Sequence, residues 1–205
     1  MLITFEGIDG CGKTTQIKLL KEYIESKGLS VVTMREPGGS DFSEQLRNIL
    51  LSSRHRVGAR SELMLFEAAR ANLVDTVIKP ELERGKIVIC DRFYDSTTAY
   101  QAFGRGLPLD FVQKLNLFAT GGLTPNLTIY LSISLDESKR RTSRPEFDRI
   151  EKAGDEFFLK VIEGYNYIAR QEPNRFVVVD ASGSRQETAR KVRKVFDKFF
   201  EGFPK

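Results

Sequence analysis

The run Gly7-Ile8-Asp9-Gly10-Cys11-Gly12-Lys13-Thr14 matches the phosphate-binding pattern G-x-x-x-x-G-K-[ST] in full. It constrains the fold more than any other feature, because such a loop works only between a buried strand and the start of a helix. The sequence offers both. The apolar run Leu2-Ile3-Thr4-Phe5 precedes the loop, and the helical pattern Thr15-Gln16-Ile17-Lys18-Leu19-Leu20 follows it. The glycines let backbone N–H groups converge on a phosphate, and the helix N-terminus adds the positive end of its dipole. In such a loop the lysine, here Lys13, meets the β- and γ-phosphates as a point charge, and the Thr14 hydroxyl serves Mg²⁺.

The rest of the chain alternates short apolar runs with longer helical stretches. Strands are expected at Leu2–Glu6, Ser30–Arg35, Ile87–Asp91, Leu127–Ser132 and Phe176–Asp180. Their β-branched and aromatic content, with little alternation, suits strands buried on both faces of a parallel sheet. Helices are expected at about Lys13–Lys27, Phe42–Leu51, Arg60–Arg84, Leu109–Ala119, Leu135–Arg141, Asp155–Gln171 and Gln186–Phe200, with Gly28 and Gly85 as C-terminal stops. This order predicts one α/β domain over residues 1–205, a doubly wound five-stranded parallel sheet flanked by helices. Ligands of such folds sit at the carboxyl ends of the strands.

Bulk properties narrow the partners. The sequence has no run of about 18 apolar residues, so no membrane span is expected. The absence of a signal-like segment before the first strand leads to the expectation of a cytoplasmic protein, or of one processed before this numbering begins. The net charge of +4 suits phosphorylated small molecules. The basic residues are spread out apart from Lys139-Arg140-Arg141 with Arg144, so a nucleic-acid groove is not indicated. Two cysteines, Cys11 and Cys90, make neither a disulfide framework nor a zinc site. Cys11 lies within the phosphate loop, which leaves a redox role open.

Several strand ends carry chemistry. Ile87-Val88-Ile89-Cys90-Asp91 ends in a carboxylate placed for Mg²⁺ or for a simple turn, and Arg92 next to it can grip a second phosphate. Asp9 would repel donor phosphates if it pointed inward. It faces an acceptor hydroxyl or metal-bound water, or it caps the loop. Arg35-Glu36-Pro37-Gly38-Gly39 brings backbone close to whatever lies past the second strand. Phe66 and Arg70 share a helix face, as a base-stacking ring with a guanidinium one turn away or as a core ring with a snorkelling arginine. Arg47 on the preceding helix has the same two readings. Lys139–Glu151, with Arg140, Arg141, Arg144 and Arg149 and a break at Pro145, reads as a basic flap over a phosphoryl group or as a solvated face. The single histidine, His55, lies in a polar loop and receives no catalytic role.

Taken together, the segments Phe5–Gln16, Arg35–Gly39, Phe66–Arg70, Asp91–Gln101 and Phe147–Glu151, in this order, resemble the thymidylate kinase family over essentially the whole chain. The resemblance implies a phosphate-loop nucleoside-monophosphate-kinase fold, ATP and Mg²⁺ as cofactors, direct in-line phosphorylation of dTMP to dTDP, and a homodimer. It implies that Gly7, Asp9, Gly10, Cys11, Gly12, Lys13, Thr14 and Thr15 surround ATP, with Thr14 and Asp91 at the metal. It places Glu36, Pro37, Arg47, Phe66, Arg70, Arg92, Thr97, Tyr100 and Gln101 with Asp9 around dTMP. Phe66 stacks on thymine, Arg70 bonds its carbonyl, Arg47 and Arg92 hold the phosphate, and Tyr100 fills the space of a 2′-hydroxyl. Lys13, Arg92 and a lid arginine would be catalytic. The phosphate loop lacks a basic residue at Ile8–Cys11, so the chain resembles the bacterial type, whose arginine sits in the lid at about 140–151; Arg144 or Arg149 is then the candidate. Two departures are Phe93, where tyrosine is common after Asp-Arg, and Pro145, where glycine is common after the lid arginine. Competing readings are a kinase for another nucleotide and a GTP-dependent switch. The first is opposed by the Phe66/Arg70 pair and Tyr100, the second by the absence of Asn-Lys-x-Asp.

Overall fold

The five apolar runs become five parallel strands in the computed structural model, which describes residues 1–52, 56–142 and 148–202. They are β1 (Leu2–Glu6), β2 (Val31–Arg35), β3 (Ile87–Asp91), β4 (Leu127–Ser132) and β5 (Phe176–Asp180), in sheet order β2-β3-β1-β4-β5. All four pairings are parallel. β1 is central and wholly buried, with Leu2, Ile3 and Phe5 in the core and Thr4 and Glu6 buried beside them. The chain order reverses direction beside β1, and the ends of β1, β2 and β3 therefore open one crevice at their carboxyl side. Register sets Phe5 beside Asp91, and Asp91 beside Arg35, along that rim.

Helices α1 (Lys13–Ser26), α2 (Asp41–Leu51), α3 (Ala59–Leu73), α4 (Lys79–Glu83), α5 (Tyr94–Thr97), α6 (Leu109–Ala119), α7 (Leu135–Arg141), α8 (Asp155–Gln171) and α9 (Arg185–Glu201) flank the sheet. Polar residues fix several starts. The Ser40 hydroxyl accepts from the Ser43 N–H at α2, and Ser184 with Glu187 forms a reciprocal capping box at α9. Gly28 and Gly85, both at positive φ, follow α1 and α4 as expected. Among the described residues, no helix is long and apolar enough to cross a membrane.

Two helical features depart from the sequence pattern. The stretch expected as one helix, Arg60–Arg84, is α3 and α4 joined by a π-turn at Val74–Ile78. Pro80 explains the wide turn: it has no N–H to donate, and its ring would meet the carbonyl four residues back in a regular helix. The other is Tyr94–Gly104, α5 continuing as a π-turn at Thr98–Gly104, for which no helix was expected. Its polar, β-branched sequence has poor helix propensity, and packing against α8 overrides it. Gly164 on α8 permits that packing, since a Cβ there would stand 2.9 Å from the Ala99 Cα.

Candidate active site

The phosphate loop turns between β1 and α1 through three glycines at positive φ, Gly7, Gly10 and Gly12. Gly7 is required sterically as well, because a Cβ there would lie 2.6 Å from the Leu131 carbonyl oxygen. Helix α7 braces the loop: the Ser138 hydroxyl donates to the Asp9 carbonyl at 2.7 Å. Lys13, buried, donates to the carbonyls of Gly7 at 2.9 Å and Ile8 at 3.4 Å. Thr14 on the first turn of α1 is exposed and Thr15 half-buried. Cys11 is buried, and burial raises its thiol pKa above the ordinary value. The thiolate a redox role needs is thereby disfavoured.

Arg92 begins the segment after β3. It is the one non-glycine at positive φ among the described residues, at 69°. Its NH1 donates to the Gly7 carbonyl at 3.0 Å, to Ser96 Oγ at 3.2 Å and to the Tyr165 hydroxyl at 3.3 Å, and its NH2 donates to Asp9 Oδ1 at 2.9 Å. The guanidinium also stacks 5.1 Å over the Tyr100 ring. Burial opposes its charge, but Tyr100, Asp9 and Tyr165 outweigh burial and hold its pKa well above the usual arginine value. Beneath it Glu6, fully buried, accepts from the Phe93 N–H at 2.8 Å, Ser96 Oγ at 2.6 Å and the Tyr165 hydroxyl at 2.9 Å.

A cavity opens beside Arg92, lined by Asp9, Glu36, Pro37, Arg47, Phe66, Arg70, Thr97, Tyr100 and Gln101 among others. Every residue the sequence reading placed around the acceptor therefore lines one cavity. Phe66 and Arg70 face it from α3, and Arg47 faces it from α2, donating to the Pro37 carbonyl at 2.9 Å. Burial, then the charge of Arg35, lowers the Arg47 pKa. The Glu36–Pro37 peptide is cis.

Arg70 does not snorkel. It is 2 % exposed and ringed by acceptors: Glu36 Oε2 at 2.8 Å, Glu67 Oε1 at 2.8 Å, Thr97 Oγ1 at 2.9 Å and, more weakly, Asn116 Oδ1 at 3.5 Å. Burial works against the guanidinium, but Glu36 and Glu67 prevail and raise its pKa. Burial lifts the Glu36 carboxyl to about 7, although Arg70 pulls the other way. Gln101 donates to Glu62 Oε1 at 2.9 Å. The Tyr100 hydroxyl is buried and has no hydrogen-bond partner among the described residues.

Arg144 and His55 lie outside the described residues. Arg149 is described, and it is engaged: Nε donates to the Leu50 carbonyl at 2.9 Å, and NH1 pairs with Glu62 at 2.6 Å. Glu62, on the first turns of α3, also receives Arg105 at 3.0 Å and 3.1 Å. Asp91 closes β3 on the crevice rim; its carboxylate makes no hydrogen bond or ion pair with the described residues. Among those residues no three His, Cys, Asp or Glu side chains gather as a metal cage. One hydroxyl and one carboxylate beside a phosphate site is a set that suits Mg²⁺, which keeps waters and takes phosphate oxygens.

The sequence reading missed Glu6, Ser96, Tyr165, Glu67, Glu62 and Asp148. Ser96 and Asp148 sit inside motif segments and line the cavity, so adjacency was an available signal. Glu6, which precedes the loop directly, had the same signal. Tyr165 had none, since it falls on the apolar face of α8.

A sequence profile described as thymidylate kinase matches residues 5–192. The chain is 48 % identical over 197 residues to a thymidylate kinase of Chlorobium luteolum, covering 91 % of this chain and 92 % of the other. It is 43 % identical over 197 residues to one of Kosmotoga olearia, with 96 % and 95 % covered. The crystal structure of thymidylate kinase from Ehrlichia chaffeensis superposes with a TM-score of 0.80 at 36 % identity, covering 96 % of this chain and 98 % of that one.

Proposed function

This chain belongs to the thymidylate kinase family and is a dTMP-phosphorylating enzyme, and we propose that it carries out ATP + dTMP → ADP + dTDP with Mg²⁺ by direct in-line transfer, without a general base. The observation that carries the mechanism is the shared carbonyl of Gly7, which accepts from Lys13 on the donor side at 2.9 Å and from Arg92 on the acceptor side at 3.0 Å. Asp9 lies between the cations, 3.9 Å from Lys13 and 2.9 Å from Arg92. In-line transfer needs positive charge on both flanks of the moving phosphoryl group, and one loop carbonyl anchors a cation for each.

The nucleophile is a phosphate oxygen of dTMP, already largely dianionic near neutrality because its second pKa is about 6. Catalysis then consists of alignment and charge neutralisation. Phe66 stacks on thymine while Arg70 faces its carbonyl; the 3.5 Å contact of Arg70 with Asn116 is the weakest to displace. Arg47 and Arg92 hold the acceptor phosphate, Tyr100 lies under the sugar, and Asp9 meets the 3′-hydroxyl. Glu36 and Thr97 orient Arg70, Gln101 and Pro37 bound the base and phosphate ends, and Gly7–Thr15 wrap the ATP phosphates. Thr14 and Asp91 would hold Mg²⁺, which when bound neutralises phosphate charge.

The catalytic lid arginine is Arg144 or Arg149, worth about 10³–10⁵ in rate. A catalytic Arg149 has to leave Glu62 and the Leu50 carbonyl as the lid closes. A cytoplasmic homodimer completes the reading. Phe118, 84 % exposed, and Leu117, 62 % exposed, on α6, with Met64 on the neighbouring α3, form a face fitted to a second copy. Sedimentation of Phe118→Asp should give a monomer where the parent is a dimer.

The test of the reaction is ADP release from Mg-ATP with dTMP, dUMP, UMP, thymidine or no acceptor. Strong dTMP dependence is expected, with dUMP weaker by roughly 10–200-fold for its missing methyl. Equal release without acceptor would overturn the assignment.

A further inference from the structure

Arg92 has more donors than its protein partners use. Nε and one hydrogen of NH2 meet no acceptor among the described residues, while NH1 is fully occupied by Gly7, Ser96 and Tyr165. Nε and NH2 are the side-on fork of a guanidinium, the edge that grips a phosphate bidentately. What holds the opposite edge therefore decides where the fork points.

That opposite edge rests on two hydroxyls, and a hydroxyl can present either a proton or a lone pair. Here Glu6 decides. Ser96 Oγ and the Tyr165 hydroxyl both reach Glu6 Oε2, at 2.6 Å and 2.9 Å, and lie 2.9 Å from each other. Each has one proton. With Glu6 ionised, the protons run toward the carboxylate, directly or one hydroxyl through the other, and none is left to face NH1. Both oxygens then offer lone pairs to Arg92. A proton on Glu6 Oε2, or an amide in its place, would donate to one hydroxyl and send that hydroxyl's own proton outward. The other Glu6 oxygen is fixed by the Phe93 N–H at 2.8 Å, so the carboxylate cannot turn away.

We propose that Glu6 is a positioning residue for Arg92: it polarises Ser96 and Tyr165 so that their lone pairs seat NH1 and aim the Nε/NH2 fork at the acceptor phosphate. The proposal rests on the reading that Arg92 binds that phosphate. The charged groups around Glu6 are Asp95 on α5 and Arg92, with Tyr165 reaching in from α8. Burial first, and Asp95 second, raise its carboxyl to about 7, so measurements at pH 8 find it ionised.

The experiment is calorimetric titration of dTMP and of thymidine into the full chain at pH 8, for the parent and Glu6→Gln. Thymidine shares the base and sugar and lacks the phosphate, so the ratio of the two affinities isolates the phosphate contacts. Glu6→Gln should lower dTMP affinity about tenfold and leave thymidine within about twofold. Equal losses for both ligands, or no loss for either, would overturn the proposal. Should Glu6→Gln fail to fold, Tyr165→Phe removes one relay: a reduced ratio supports the proposal and an unchanged one overturns it. Arg92→Ala separates the two layers. A ratio unchanged by Arg92→Ala overturns the phosphate assignment itself; a ratio reduced by Arg92→Ala but not by Glu6→Gln overturns only the role of Glu6.

Discussion

Glu36 offers a stability test with a definite sign. Its carboxyl is raised from 4.5 to about 7, burial outweighing Arg70. A raised carboxyl means that between these values the folded chain holds a proton the unfolded chain has released, so stability falls as pH rises through that window. The shift of about 2.5 units, at about 1.36 kcal/mol per unit, amounts to about 3 kcal/mol lost between pH 4.5 and 7. Glu6 adds a limb of the same sign, and the Met1 amine, lowered from 8.0 by burial, runs the opposite way near neutrality. Carboxyls lowered by their partners, Glu62 and Asp197 among them, lose stability only as pH drops below the unfolded values. Comparing the parent with Glu36→Gln cancels these shared contributions. Urea unfolding of both at half-unit steps from pH 4.5 to 8 should show the parent losing about 3 kcal/mol relative to the variant, then no further change. A difference constant across the range, or one growing in the parent's favour with pH, would refute the reasoning.

Other residues yield shorter tests. Tyr100→Phe deletes a buried hydroxyl with no partner among the described residues, so it should leave stability unchanged or raise it by up to about 1 kcal/mol while keeping the preference for dTMP over UMP; Tyr100→Ala should lose that preference. Arg149→Ala removes one of the cations around buried Glu62 and should cost about 2 kcal/mol by chemical denaturation, with Glu62→Gln showing a comparable loss. Cys11 and Cys90 are both buried with raised pKa values, so neither should react with a thiol reagent in the native protein and both should react in urea.

Strand positions were legible because a buried parallel strand is a continuous β-branched run, and four of the five strands begin and end where that run does. β2 starts one residue late, at Val31, with Ser30 serving only through its carbonyl to Ile87. The cavity beside Arg92 was legible as a gathering of motif residues, because those residues sit at strand ends or on helix faces turned toward them. The Tyr94–Gly104 helix was not, because tertiary packing on α8 creates it against local propensity. Nor were the partners of Arg70 and Arg149. A sequence gives a guanidinium its helix and its face, but Glu36, which pairs with Arg70, and Glu62, which pairs with Arg149, lie 34 and 87 positions away.

Arg92 and Arg47, the two residues proposed to hold the acceptor phosphate, differ in their state of preparation. Arg92 sits in the left-handed region, a conformation that costs a non-glycine residue about 1–3 kcal/mol and persists only where its surroundings over-determine it. Those surroundings come from four places: Gly7 and Asp9 in the loop, Ser96 on α5, Tyr165 on α8, and Glu6 on β1 behind the two hydroxyls. Its side-chain entropy, up to about 2 kcal/mol, is thus lost on folding rather than on binding. Arg47 makes one hydrogen bond among the described residues, to the Pro37 carbonyl, and burial already disfavours its charge. A phosphate that reaches the crevice therefore meets one fork already set, and gains from the other by ordering it. Since Arg92 also shares the Gly7 carbonyl with Lys13, the set fork is registered to the phosphate-loop lysine through a single backbone atom, and on the proposed reading the alignment of the two substrates would be a property of the fold.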